Sequence, residues 1–125
     1  MRTFVIRTEQ MRALSLARAD QFVVRMARHL RTSFPDWSRE TGDSELDSFV
    51  RHGMKQSAQY GFTSELQIAR YLHVMQALGM RFDEAPEHAW ARNLLVQNLP
   101  VEEKLNRLMD AAHYQVEARR IRDAH

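Results

Sequence analysis

Between residues 51 and 90 the chain punctuates itself with glycine. The stretch RHGMKQSAQYGFTSELQIARYLHVMQALGMRFDEAPEHAW keeps helical apolar spacing up to Tyr60 and breaks at Gly61. It resumes behind Thr63 and breaks again at Gly79 before an acidic loop that leads to Trp90. Gly enters the left-handed backbone region at a helix C-terminus without a Cβ penalty. Thr ahead of a new apolar series supplies an N-cap. This punctuation predicts short helices joined by tight turns.

The same reading extends in both directions. Phe4-Val5-Ile6 is the only strand-like run, and we read residues 1–7 as an extended arm. Thr8 caps a long first helix over residues 9–32, bent near Ala19-Asp20, with Met11, Leu14, Ala17 (or Arg18), Phe22, Met26 and Leu30 as its stripe. Residues 33–42 read as a loop, because the residue before Pro35 is pushed out of the helical region. Asp43 or Ser44 caps a helix over 45–60 whose inward residues are Leu46, Phe49, Val50, Gly53 and Tyr60. Gly at mid-helix costs about 1 kcal/mol relative to Ala, so Gly53 marks a close approach of another helix. The next helix, 64–78, turns Leu66, Ala69, Leu72, Met75 and Leu78 inward. A short helix over 87–97 carries Trp90, Leu94 and Leu95. Pro100 opens a last helix over 101–119 with Leu105, Leu108, Met109, Ala112 and Val116 as its stripe, and residues 119–125 fray. The expected fold is all-α: a single domain, 1–125, of about five helices.

Size and composition bound the function. A chain of 125 residues suits one core. It has no Cys, hence no disulfide or thiolate site. No run approaches the roughly 20 apolar residues of a membrane span, and the N-terminus lacks a signal-length apolar run, so the expected location is cytoplasmic. Charge is uneven along the chain. Residues 1–39 hold eight Arg against Glu9, Asp20 and Asp36, whereas 83–103 hold Asp83, Glu84, Glu87, Glu102 and Glu103 against Arg92 alone. Such asymmetry suits steering to a partner or self-association as a homodimer, although solvated helix faces are its commoner meaning.

Candidate chemistry is sparse. His29, His52, His73, His88, His113 and His125 never fall three or four apart; Asp110, His113 and Glu117 share one helix face, a spacing commoner on solvated faces than at metals. No strained Gly-x-Ser-x-Gly turn and no phosphate-cradling Gly loop occurs. The reading is therefore of a non-enzyme with no cofactor or metal. Arg18, Arg25, Arg28 and Arg31 could track a phosphate backbone, but no helix-turn-helix pattern accompanies them. Phe34, Trp37, Phe62, Phe82 and Trp90 either line a partner groove or pack the core, the commoner use, and Trp37 and Trp90, on or beside loops, are the better candidates for interface anchors.

The residues Phe4-Val5-Ile6-Arg7-Thr8-Glu9-Gln10-Met11, Arg51-His52-Gly53-Met54, Tyr60-Gly61-Phe62-Thr63-Ser64-Glu65, Tyr71-Leu72 with Met75, and Phe82-Asp83 with Pro86 and Trp90-Ala91 together resemble a family of small bacterial proteins. These are encoded beside type VI secretion effectors and their spike-tip proteins. The family pattern is an N-terminal apolar-Arg-x-Glu-Gln-Met, a mid-chain Gly before a Tyr-Gly turn, and a Phe-Asp loop leading to Pro-Trp-Ala. Ala89 stands where the family often has Pro. The resemblance implies a binding role: a co-chaperone that pairs with a larger adaptor protein and, through it, helps load a secreted effector. With a binding role, the expected contact residues are Phe4, Val5, Ile6, Trp37, Phe82 and Trp90; the arm either pairs with a partner's strand edge or packs on its own domain. An immunity protein that neutralises a toxin is the first alternative, a small nucleic-acid-binding regulator the second.

Overall fold

The structure, a computed structural model, describes the backbone of residues 8–124 and the side chains of 15–124. The expected arm, with Phe4, Val5 and Ile6, lies outside the described residues, as do the side chains of Met11 and Leu14. The fold is all-α. Its helices are α1 (Thr8–Ser33), α2 (Pro35–Arg39), α3 (Asp43–Gln59), α4 (Glu65–Leu78), α5 (Ala89–Leu95) and α6 (Val101–Asp123), with a 3-10 turn at Pro86–His88. Among the described residues there is no strand, and no helix is long and apolar enough to cross a membrane. The chain forms two compact units, Met1–Val50 and Arg51–His125, which part within α3.

In the first unit α1 packs on α2. Phe22, Val23 and Leu30 of α1 and Leu46, Phe49 and Val50 of α3 are buried. Residues 33–42, expected as a loop, contain α2. Pro35 occupies its first turn, where a missing N–H leaves no bond unmade. Trp37 on α2 lies 5.0 Å from the Phe49 ring and edge-on to Phe34 at 6.4 Å. Arg31 fastens the turn that follows: its guanidinium donates to the carbonyls of Ser38 (2.8 Å) and Thr41 (3.1 Å) and to Asp43 Oδ1 (2.6 Å). Asp43, expected as a cap, is instead the first helical residue of α3.

In the second unit α4 and α5 both pack on α6. Gly61 has φ +89°, the positive value its place after α3 requires. The N-cap of α4 is Ser64, one residue beyond the expected Thr63. Its hydroxyl accepts from the Gln67 N–H while Gln67 Oε1 accepts from the Ser64 N–H, a reciprocal capping box. Gly53 is buried, and a Cβ there would collide with Leu72 Cδ2 and sit 2.9 Å from Met75 Sδ. The expected close approach is therefore that of α4. Lys104 of α6 is buried and donates to the Leu95 carbonyl at the end of α5 (2.9 Å), a cation at a helix C-terminus.

Three expectations are corrected here. Leu66, assigned to the core, is 62% exposed, and Tyr71, Leu72, Val74 and Met75 form the buried face of α4. Gly79 ends α4 with φ 115° and ψ 152°, an extended glycine conformation and not the left-handed helical one expected. The tail expected to fray from 119 continues as helix to Asp123, closed by the Ala124 N–H on the Arg120 carbonyl.

Candidate functional site

Two places in the molecule concentrate features that packing alone does not require, one in each unit. The first is a surface of α1. Leu16, Val23 and Leu30 recur every seventh residue, so they lie along one side of the helix. Val23 and Leu30 are buried, yet Leu16 is 58% exposed and Val24, beside Val23, is 56% exposed. The apolar surface of α1 thus continues past what covers it. Next to it runs a groove of about 450 Å³ lined by Asp20, Gln21, Val24, Arg25 and Arg28. Arg25 extends over the Phe22 ring, its guanidinium carbon 5.6 Å from the centroid.

The second is a buried polar cluster in the Arg51–His125 unit. Tyr60, just past α3, donates its hydroxyl to Asp83 Oδ2 at 2.8 Å. Asp83 is 2% exposed, and its ring neighbourhood is aromatic: Tyr71 stacks on Tyr60 and packs against Phe62 and Phe82. Tyr71 Oη, Asp83 Oδ1 and His52 Nε2 are buried with no hydrogen-bond partner among the described residues. Burial, then the hydrogen bond to Asp83 and its charge, push the Tyr60 phenol up to about 12. Burial and the Asp83 charge push the Tyr71 phenol further up. Burial and the Arg81 guanidinium hold His52 below the ordinary imidazole range. Tyr71 and Asp83 are enclosed, at 0% and 2% exposed, whereas Tyr60 and His52 are half-buried. Their evident effect is to tie the loop after α4 to the end of α3.

The expected contact residues separate. Phe82 is 1% exposed and belongs to the aromatic cluster, so it is a core plug and no surface anchor. Trp37 is half-buried between Phe34 and Phe49. Trp90 is half-buried and edge-on to His88 at 6.3 Å, with its Nε1 buried and without a hydrogen-bond partner among the described residues. Phe4, Val5 and Ile6 lie outside the described residues. Sequence reasoning missed both Leu16, which periodicity places on the core side, and the burial of Asp83, which reads as one loop acid among several. The signal for Asp83 was its neighbour Phe82, since an aromatic that enters a core carries the adjacent backbone with it.

Charges sort in the same way. Glu102 is held by Gln67 and Arg70, Glu103 by Arg107 at 2.7 Å, and Glu84 lies 3.9 Å from Arg81. The acidic stretch at 83–103 is therefore largely compensated within its own unit. Asp110, His113 and Glu117 gather no metal-holding group among the described residues, and Glu117 faces Arg120. No family model matches the chain, and no curated protein or solved structure is significantly similar to it.

Proposed function

We propose that this protein works by binding another polypeptide, as a co-chaperone or adaptor of a type VI secretion effector, and that α1 supplies the contact. The observation that carries the reading is the apolar side of α1, which continues from the buried Val23 to the exposed Leu16 and widens to the exposed Val24. Apolar side chains left in water beside cations are a surface that gains free energy when a partner covers it. The sequence resemblance supplies the class of partner, a larger adaptor and through it an effector. Trp90 keeps a secondary place, because its indole body is partly open.

The test is co-expression with a larger adaptor protein of the class the resemblance implies, followed by capture from purified components. Leu16→Asp and Val24→Asp are expected to abolish capture, and Trp90→Ala to weaken it, with the helical circular dichroism of each variant unchanged. Undiminished capture by both α1 variants would remove α1 as the contact. Rescue of cells from a neighbouring toxin by this chain alone would move the assignment to the immunity reading.

A further inference from the structure

We infer that the α1 groove is built to receive one amphipathic α-helix with carboxylates beside its apolar row. This rests on the reading of α1 as the partner-binding surface. The helical form of the occupant follows from the rows of side chains. Leu16, Asp20, Val24 and Arg28 stand four residues apart in one ridge, and Ala17, Gln21 and Arg25 stand four apart in the next. The groove is lined by residues of both ridges, Asp20, Val24 and Arg28 of the first and Gln21 and Arg25 of the second. A furrow between neighbouring ridges spaced four apart accepts the corresponding ridge of a second helix. Leu16 and Val24, two turns apart, are separated by about 12 Å along the axis, which suits two anchors of such a helix.

The sign of the occupant follows from charge. Along the described part of α1, Arg18, Arg25, Arg28 and Arg31 face a single acid, Asp20. Arg31 is taken up by Asp43 and two backbone carbonyls. Arg18 and Arg28 are exposed and lack an ion-pair partner among the described residues. Arg28 closes the end of the first ridge, next to Val24. A partner with Asp or Glu flanking its apolar row would meet Arg28 while its apolar residues cover Leu16 and Val24. Nucleic acid fits less well, since the apolar residues at the centre of the face offer nothing to phosphate and two of the four cations, Arg25 and Arg31, are engaged internally.

The probe is a fluorescent amphipathic peptide of roughly 20 residues, long enough to hold a helix, with Leu in its apolar row and Glu flanking it. A second peptide carries Lys for every Glu. Anisotropy titrations use the full chain. The Glu peptide is expected to bind at least tenfold more tightly than the Lys peptide. Arg28→Glu should reverse that preference, and Leu16→Asp or Val24→Asp should abolish binding of both. All three positions are exposed, and unchanged circular dichroism confirms that the variants fold. Equal binding of the two peptides, or a preference that survives Arg28→Glu, overturns the acidic helix while leaving α1 as a protein-binding face. Binding of neither peptide overturns it too, and adaptor capture that still depends on Leu16 would then keep the broader reading. Stronger binding of a single-stranded oligonucleotide or of phosphatidylserine vesicles, lost in Arg28→Glu, assigns the face to that ligand instead.

Discussion

Tyr60 and Asp83, twenty-three positions apart, meet through a 2.8 Å hydrogen bond that fastens the loop after α4 to the end of α3. Asp83 is buried, so this phenol is a principal source of polar compensation for it. Tyr60→Phe keeps the ring and removes the donor. The expected loss is about 1 to 3 kcal/mol, the usual cost of leaving a buried acceptor unsatisfied. Urea unfolding followed by circular dichroism measures it, and a loss under about 0.5 kcal/mol, the scatter of surface changes, would show that the bond contributes little.

The same pair sets an alkaline limit. The folded Tyr60 phenol titrates at about 12 against an ordinary 10.0. A raised folded value means that the folded state holds the proton more tightly than the unfolded chain. The associated stability is complete below pH 10, declines above it and is gone past pH 12. The urea midpoint should fall as pH rises from 10.0 to about 12, between the ordinary and the folded value, and that of Tyr60→Phe should fall less steeply.

His52 sets the opposite limit. Its imidazole is held low by burial and then by Arg81, so the folded state favours the neutral ring. The contribution is present above 6.5, the ordinary value, and is lost as pH drops through the lower folded one. An NMR titration of the His52 ring should place its midpoint below 6.5, the ordinary value. A midpoint at or above that value would contradict the buried setting.

Gly53→Ala adds a methyl where Leu72 and Met75 already stand. Ala favours a helix over Gly by about 1 kcal/mol, but overpacking a filled core costs about 1 to 3. Both neighbours are themselves fully enclosed, so the steric term should win, with a net loss of up to about 2 kcal/mol. A stabilised variant would mean that α4 shifts without penalty.

Leu66→Gln distinguishes the two readings of α4. With Leu66 largely in solvent, the change should stay within about 0.5 kcal/mol of the parent. Leu72→Ala, at a fully buried site, should cost about 2 to 5. Similar losses at both positions would restore Leu66 to the core.

Much of this architecture was written locally. Gly61 after α3, the Ser and Thr ahead of α4 and Pro100 ahead of α6 act within one turn of chain, so residue type alone announces them. Gly53 was also legible, because a glycine inside a helix needs a reason and close packing is the usual one. Pro35 was misread: proline bars a helix from continuing but is favoured in a first turn, and the pattern of 33–42 supports either use.

The sequence by itself determined five of the six helices, most of their ends and the all-α class, since capping and glycine chemistry depend on neighbours a few residues away. Tertiary structure alone decided which side of each helix is covered. Leu66 and Leu16 both keep core-like spacing, yet both stand in solvent, because burial depends on where a neighbouring element stops. The enclosure of Asp83 and the seat of Lys104 at the end of α5 were decided in the same way, by segments distant in the chain meeting at one point.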